Sequence, residues 1–272
     1  AKFAARFHAL GFHVADETVH LMQQMVADGE ADALAPDRVW KETEAALAGP
    51  DPEIYFYILR QCGALAVVFP EIDALFGVPQ PAKWHPEIDC GIHTLMVLEQ
   101  AAGLSADAGV RFAALVHDLG KATTQKPLLP SHYGHEKRGV KIVQRLAKRL
   151  PVPVAFRELG CLVAEFHVHV HRAFELRPAT LLKVLNRSDA FRRPARFENF
   201  LLACEADARG RTGFEDLAYP QADFLRTAYR AANEVSISDL TDGELSGAEI
   251  GKQLAARRES AIAAVAKNQL AT

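Results

Sequence analysis

Apolar residues recur at helical spacing along most of the chain, whereas the alternation typical of half-buried strands is scarce. One such run places Val39, Trp40 and Leu47 on one side of a segment. Pro36 precedes this run at a position suited to the first turn of a helix. The pattern predicts an all-α protein built from many short helices.

Segments rich in proline and glycine interrupt the helical pattern and divide the chain. These breaks lie at 49–52, 77–86, 127–134 and 151–153, with further prolines at Pro178, Pro194 and Pro220. They predict a helical arm over residues 1–82, a middle domain over 83–195 that holds most of the histidines, and C-terminal helices with a tail over 196–272.

Composition narrows the classes of protein to consider. Hydrophobic residues make up 49% and charged residues 24% of the 272, which is ordinary for a globular chain. No apolar run is long enough to cross a bilayer and no signal peptide is evident, so we expect a cytoplasmic protein without a membrane partner. The helical pattern is already present in the first residues of the sequence, and no residue suited to capping a helix precedes it. We therefore expect the natural chain to continue upstream.

The cysteines and the net charge exclude two further kinds of site. The four cysteines are far apart and form no CxxC pair, which argues against a cysteine zinc site or a disulfide framework. The formal net charge of -3 is not that of a uniformly basic nucleic-acid binder. Any RNA contact would have to come from local basic patches.

An adjacent pair, His117-Asp118, lies at the inner end of an apolar segment over 110–119 that we expect to form a helix capped by Gly120. An aspartate at such a place is costly to bury unless it is paired or coordinates a metal. Imidazole nitrogen and carboxylate oxygen together suit a divalent cation. The pair therefore predicts a metal site.

A third candidate ligand, His93, falls in the first turns of a helix that Asp89 can cap. A lone histidine at such a position is usually a buried core residue. Asp189 lies much further along, in a segment with an apolar side that we expect to be another helix. Considered with His117-Asp118 and with Asp189, His93 resembles the pattern of the HD phosphohydrolase superfamily over residues 85–195. The resemblance implies an HD-type helical domain with His93, His117, Asp118 and Asp189 as metal ligands; the alternative is a degenerate HD fold without metal.

The same resemblance suggests further site residues. His135 and His167 are candidates for a second metal or for contact with the scissile phosphate, although Val168 stands where the family often has an acidic residue. Asp118 could both ligate the metal and orient the attacking water. Lys121 could meet a phosphate oxygen or could simply be a helix-terminal lysine favoured by the dipole. The predicted catalytic residues are Asp118, Lys121 and His135.

Segments outside the HD region resemble bacterial CCA-adding enzymes, the tRNA nucleotidyltransferases. These segments are residues 3–12, 38–42, 69–72, 83–87 and 205–213. The resemblance implies tRNA and nucleotide phosphoesters as partners, and an upstream nucleotidyltransferase domain that this sequence does not contain. It also implies phosphatase, 2'-nucleotidase and 2',3'-cyclic phosphodiesterase activities with Ni²⁺, Mg²⁺ or Mn²⁺, in a monomer or homodimer.

Basic side chains suggest where RNA or phosphate could bind. Lys137, Lys141 and Arg145 fall on one face of a predicted helix, and Arg187 and Arg192 flank Asp189. Each set is also typical of a solvated surface.

Two other functions stay open. The chain could be a tRNA-binding arm whose HD site is vestigial, or an independent HD nucleotide phosphodiesterase.

Arg209 and Arg211 could be structural partners of Glu205 and Asp207.

Overall fold

The computed structural model describes residues 1–236 and 246–269, and helices dominate that part of the chain. These residues contain no β-strand, and an isolated antiparallel bridge joins Pro79 to Asp89. The prediction of an all-α protein is confirmed.

The α-helices of the described residues are α1 (Lys2–Phe7), α2 (Asp16–Ala27), α3 (Pro36–Leu47), α4 (Pro52–Gln61), α5 (Ala64–Val68), α6 (Pro70–Asp73), α7 (Cys90–Leu104), α8 (Ala108–Val116), α9 (His135–Arg149), α10 (Val154–His171), α11 (Pro178–Arg187), α12 (Pro194–Arg209), α13 (Pro220–Asn233) and α14 (Gly247–Gln269). Short 3-10 helices occur at His8–Leu10, Glu30–Ala33, Leu119–Thr123, Lys126–Leu128 and Ala173–Glu175. Prolines stand at the start of α3, α4, α6, α11 and α13, where the missing N–H costs no helical hydrogen bond.

The helix predicted over residues 110–119 ends earlier than expected. Helix α8 stops at Val116, and the chain tightens into a 3-10 helix at Leu119–Thr123. Gly120 is therefore not a helix cap. A Cβ at Gly120 would lie 1.9 Å from the carbonyl oxygen of His135, so the glycine allows the chain to pass directly against the start of α9.

The described residues form two compact units, residues 1–165 with 202–217, and residues 166–201 with 218–236 and 246–269. In the first unit α7 packs on α8 and α4, and α9 packs on the 3-10 helix after α8. The rings of Trp40, Phe112 and Phe156 meet edge to face with centroids 5.5–6.0 Å apart in its core. The predicted domain boundaries at 82 and 195 remain predictions.

A buried arginine also holds the first unit together. The Arg111 side chain is 6% exposed and donates hydrogen bonds of 2.5–3.1 Å to backbone carbonyls at the C-terminal ends of α3 and α7. The accepting carbonyls belong to Leu47, Gly49, Ala102 and Ser105. Carbonyls at a helix end lack partners within the helix, and a fixed cation satisfies them.

In the second unit α14 packs on α11 and α13. Leu181, Leu185, Phe224 and Ile262 are buried in this unit. No helix among the described residues has the length and apolarity that a bilayer span requires.

Candidate metal centre

Helix α7 presents the first histidine of the site. The carboxylate of Asp89 accepts hydrogen bonds from the N–H groups of Gly91 (2.8 Å) and Ile92 (2.9 Å), so the predicted cap is confirmed. His93 follows in the first turns of α7 and is fully buried. Its Nδ1 lies 2.9 Å from the carbonyl oxygen of Gly210, and its Nε2 lies 3.1 Å from Asp207 Oδ1.

The His117-Asp118 pair follows the last residue of α8, and both side chains are 1% exposed or less. His117 Nδ1 lies 2.7 Å from the carbonyl oxygen of Ala114. His117 Nε2 lies 3.1 Å from Asp118 Oδ2 and 3.5 Å from Asp207 Oδ1. The end of α8 therefore brings an imidazole and a carboxylate into one buried cluster.

His135 joins this cluster from the N-terminus of α9. It is buried, its Nδ1 lies 2.8 Å from the carbonyl oxygen of His132, and its Nε2 lies 3.3 Å from Asp118 Oδ1. The close approach at Gly120 is what allows α9 to begin beside Asp118.

The three histidines share one arrangement. A carbonyl oxygen accepts but cannot donate, so each Nδ1 must carry the proton of its hydrogen bond. The Nε2 atoms of His93, His117 and His135 therefore face the carboxylates of Asp118 and Asp207. Imidazoles held in this way present Nε2 as a metal ligand, and the ligand atoms of His93, His117 and Asp118 lie within 4.8 Å of one another. The donor set fits a divalent cation.

The electrostatics of the cluster are those of closely coupled charges. Burial disfavours the charged imidazole, yet the carboxylates of Asp118 and Asp207 outweigh it and raise the pKa of His117 to about 10. Burial likewise opposes ionisation of Asp118, but His117 and Lys121 hold its pKa well below the usual range. Since a ligand imidazole must give up its Nε2 proton, protons and a cation compete for this cluster.

Lys121 lies inside the cluster rather than on the surface. Its ammonium is 2.5 Å from Asp118 Oδ2 and 2.8 Å from Gln80 Oε1, and both Lys121 and Gln80 are buried. A buried ammonium requires such partners. Lys121 is therefore a buried partner of Asp118 in the last turn of the 3-10 helix Leu119–Thr123, and its contact with a phosphate remains a prediction.

Comparison with known proteins agrees with this geometry. The HD domain family matches residues 91–193, and the family described as "Probable RNA and SrmB- binding site of polymerase A" matches residues 11–76. A multifunctional CCA protein of Thioalkalivibrio sulfidiphilus (strain HL-EbGR7) is 62% identical over 262 residues, which are 96% of the chain and 64% of the relative. The chain is a homologue of the multifunctional CCA proteins and contains an HD domain. The predicted resemblance is confirmed.

Two residues predicted for the HD site, Asp189 and His167, belong to the second compact unit. Asp189 was expected on a helix, but α11 ends at Arg187 and Asp189 lies in the following turn with φ 59°. Its carboxylate pairs with Arg192 (2.7 Å) and Arg193 (2.8 Å). His167 is buried within α10. The ligand roles of both residues remain predictions.

Sequence reasoning missed several residues that lie around His93, His117 and Asp118. Asp207 was considered only as a partner of Arg209 or Arg211, yet Arg209 pairs with Glu205 (2.6 Å) while Asp207 contacts His93. His85, Glu87 and Gln80 were not singled out as site residues. The signal that could have drawn attention to Glu87 and Asp207 is the resemblance of segments 83–87 and 205–213 to CCA-adding enzymes.

The predicted RNA-contacting residues lie where a nucleic acid could reach them. Lys137, Lys141 and Arg145 are exposed along one face of α9, as the periodicity predicts. Arg192 is exposed and pairs with Asp189, and the Arg187 guanidinium lies 5.9 Å from the ring centroid of Phe166. Their contact with RNA remains a prediction.

Proposed function

We propose that this chain is a divalent-metal-dependent phosphohydrolase and forms part of a CCA-adding tRNA nucleotidyltransferase. Its substrates are phosphoesters of nucleotides or RNA ends, namely 2',3'-cyclic phosphates, 2'-nucleotides and simple phosphomonoesters. The ion is Ni²⁺, Mn²⁺ or Mg²⁺: imidazole ligands suit Ni²⁺, and carboxylate oxygens suit Mn²⁺ and Mg²⁺. Cytoplasmic location, and a monomeric or homodimeric state, complete the proposal.

The observation that carries this proposal is the shared orientation of His93, His117 and His135. Each donates Nδ1–H to a backbone carbonyl and turns Nε2 to the buried carboxylates. This tautomer leaves Nε2 of His93 and His117 available to an ion, and it leaves Nε2 of His135 available for proton exchange. A bound divalent cation would neutralise charge that develops on a phosphoryl group and would make a water molecule more acidic.

The chain's own residues suggest how the reaction is organised. His93, His117 and Asp118 would hold the ion, and Asp118 would also orient the attacking water. His135 Nε2, 3.3 Å from Asp118, is placed to exchange a proton with that water or with the leaving oxygen. Lys121 keeps Asp118 ionised and adds positive charge for a phosphate.

The test is hydrolysis of 2',3'-cyclic AMP by the purified chain, stripped of metal and then supplied with Ni²⁺, Mn²⁺ or Mg²⁺ in turn. We expect activity to return with at least one ion and to fall by about a hundredfold or more in Asp118→Asn, a change that conserves volume but removes a charged ligand. Asp37→Asn, an exposed aspartate in the first turn of α3, is the matched control and should retain activity. A folded wild-type chain that is inactive with every ion contradicts the proposal.

A second function, tRNA binding, is favoured by the match of residues 11–76 to an RNA-binding family. Together with the exposed basic face of α9 it supports a tRNA-positioning role. We expect tRNA affinity to survive Asp118→Asn and to fall when Lys137, Lys141 and Arg145 are changed to glutamine, with a weaker dependence on salt. Filter binding at several salt concentrations measures both effects.

A further inference from the structure

The Nδ1 atom of His93, on the side of the ring away from the proposed ion, makes a second set of contacts. His93 Nδ1 is shared between the carbonyl oxygen of Gly210 (2.9 Å) and Glu87 Oε1 (3.0 Å). A Cβ at Gly210 would lie 2.5 Å from a methyl carbon of Val97, so the backbone can approach His93 this closely because position 210 carries no side chain. The ring is therefore held from the side opposite Asp207.

Glu87 is itself tightly held, with a side chain that is 2% exposed. Besides His93, its Oε1 accepts from His85 Nδ1 at 3.0 Å and from Gln80 Nε2 at 3.3 Å. Gln80 also accepts from Lys121 through its Oε1. One chain of contacts thus connects the carboxylate behind His93 with the ammonium beside Asp118.

The backbone around Glu87 is constrained to make these contacts. The next residue, Ile88, has φ 61°, a conformation that is strained for a β-branched residue and persists only where the surroundings impose it. Here Ile88 is flanked by the bridge between Pro79 and Asp89 and accepts from the N–H of Gln80 at 2.8 Å. Asp89, which caps α7, fixes the far end.

Two interpretations fit a carboxylate at this place. His85, Glu87 and His93 have ligand atoms within 4.8 Å of one another and could hold a second ion. That interpretation requires His93 Nδ1 to lose its proton, but the Gly210 carbonyl can only accept, so Nδ1 must donate. A carboxylate that receives the outer N–H of a ligand imidazole fixes its tautomer and strengthens it as a ligand.

We propose that Glu87 is a positioning residue for the metal centre: it receives the Nδ1 proton of His93, so that Nε2 is presented to the ion, and Gln80 links this contact to Lys121. The inference rests on the metal centre proposed above, but it makes a separate claim. It assigns Glu87 an effect on ion affinity without direct contact between Glu87 and the ion.

The experiment is isothermal titration of the metal-stripped chain with Ni²⁺, comparing the wild type with Glu87→Gln. The amide keeps the size of the side chain but removes its charge. We expect the Kd to weaken by about 10- to 100-fold with the number of ions per chain unchanged. Glu71→Gln is the control, because Glu71 pairs with Arg149 and touches none of the site residues named above; its Kd should equal that of the wild type.

A measurement on the wild type keeps the test independent of how the variant folds. With Zn²⁺ as a diamagnetic probe, long-range ¹H–¹⁵N spectra should show His93 with a hydrogen-bonded Nδ1–H and a metal-bound Nε2. The opposite tautomer would overturn the inference, as would an unchanged Kd in Glu87→Gln or the loss of one ion per chain. Failure of the wild type to bind any ion would overturn both this inference and the proposed function.

Discussion

Glu87 and Glu53 are two carboxylates within the first unit, and their surroundings have opposite effects. One oxygen of each is buried without a hydrogen-bond partner among the described residues. The other oxygen of Glu87 meets His85, His93 and Gln80, whereas Glu53, in the first turn of α4, meets its own backbone N–H.

The pKa values of the two side chains follow from this difference. Burial raises the pKa of Glu53 to about 7, and the nearby carboxylates of Glu99 and Asp51 add to the shift against the opposing charge of Arg111. Burial also opposes ionisation of Glu87, but donors from His85 and His93 outweigh it and lower the pKa. Hydrogen-bond donors, rather than the extent of burial, therefore decide whether these buried carboxylates stay charged. The metal centre needs a charged carboxylate.

The largest effect on stability is expected at Arg111, whose positive charge lies near Glu53. Arg111→Met removes the donor to four backbone carbonyls and the positive charge near Glu53. We expect a loss of about 3–5 kcal/mol, since the carbonyls at two helix ends are left buried without a partner. Urea unfolding followed by circular dichroism at pH 7.5 measures it.

Arg145→Met supplies the control for that change, because Arg145 is exposed on α9. Its free energy of unfolding should stay within about 0.5 kcal/mol of the wild type. A loss below about 1 kcal/mol in Arg111→Met would show that water replaces the guanidinium at the helix ends.

The sequence could predict the parts of this arrangement that depend on local pattern. Helical periodicity indicated the fold, and Asp89 was identified as the cap that places His93. It could not predict that Asp207 and Gly210 return to His93 from more than a hundred positions away in the chain. Such contacts depend on packing between distant segments, and no spacing along the chain encodes them.

The prediction for Asp189 shows the same limit in another form. The spacing of the HD pattern indicated Asp189 as a metal ligand, and the apolar side of its segment suggested a helix. The chain instead leaves the helix at Arg187, because the left-handed conformation at Asp189 cannot continue it. Its two arginine partners follow within four residues, so the local sequence satisfies the charge without a metal.

The next largest effect concerns Ni²⁺ affinity, and it distinguishes Asp207 from Asp189. Asp207→Asn removes a charge 3.1 Å from His93 Nε2, and we expect the Kd for Ni²⁺ to weaken by about 10- to 100-fold. Asp189→Asn is measured beside it in the same titration. A loss in Asp189→Asn alone would make Asp189 the ligand that the family pattern predicts and would leave Asp207 a structural partner of His93.

The smallest effect concerns Glu53 and has a defined dependence on pH. The folded-state pKa of about 7 exceeds the unfolded value of 4.5, so the folded state binds more protons between them and stability falls as pH rises through this window. Glu53→Gln removes that fall. We expect the variant to be more stable than the wild type by about 1–2 kcal/mol at pH 8, allowing for partial exposure of the side chain, and equal to it near pH 4.5.

Paired urea titrations of wild type and Glu53→Gln at pH 4.5, 6 and 8 measure this difference. All other titratable groups are present in both proteins, so their contributions cancel in the comparison. A difference independent of pH would mean that the pKa of Glu53 is the same in the folded and unfolded states, so that its backbone hydrogen bond and the charge of Arg111 offset its burial. If the wild type instead gained stability over Glu53→Gln as pH rises, Glu53 would be held charged as Glu87 is, and the contrast between the two carboxylates would be wrong.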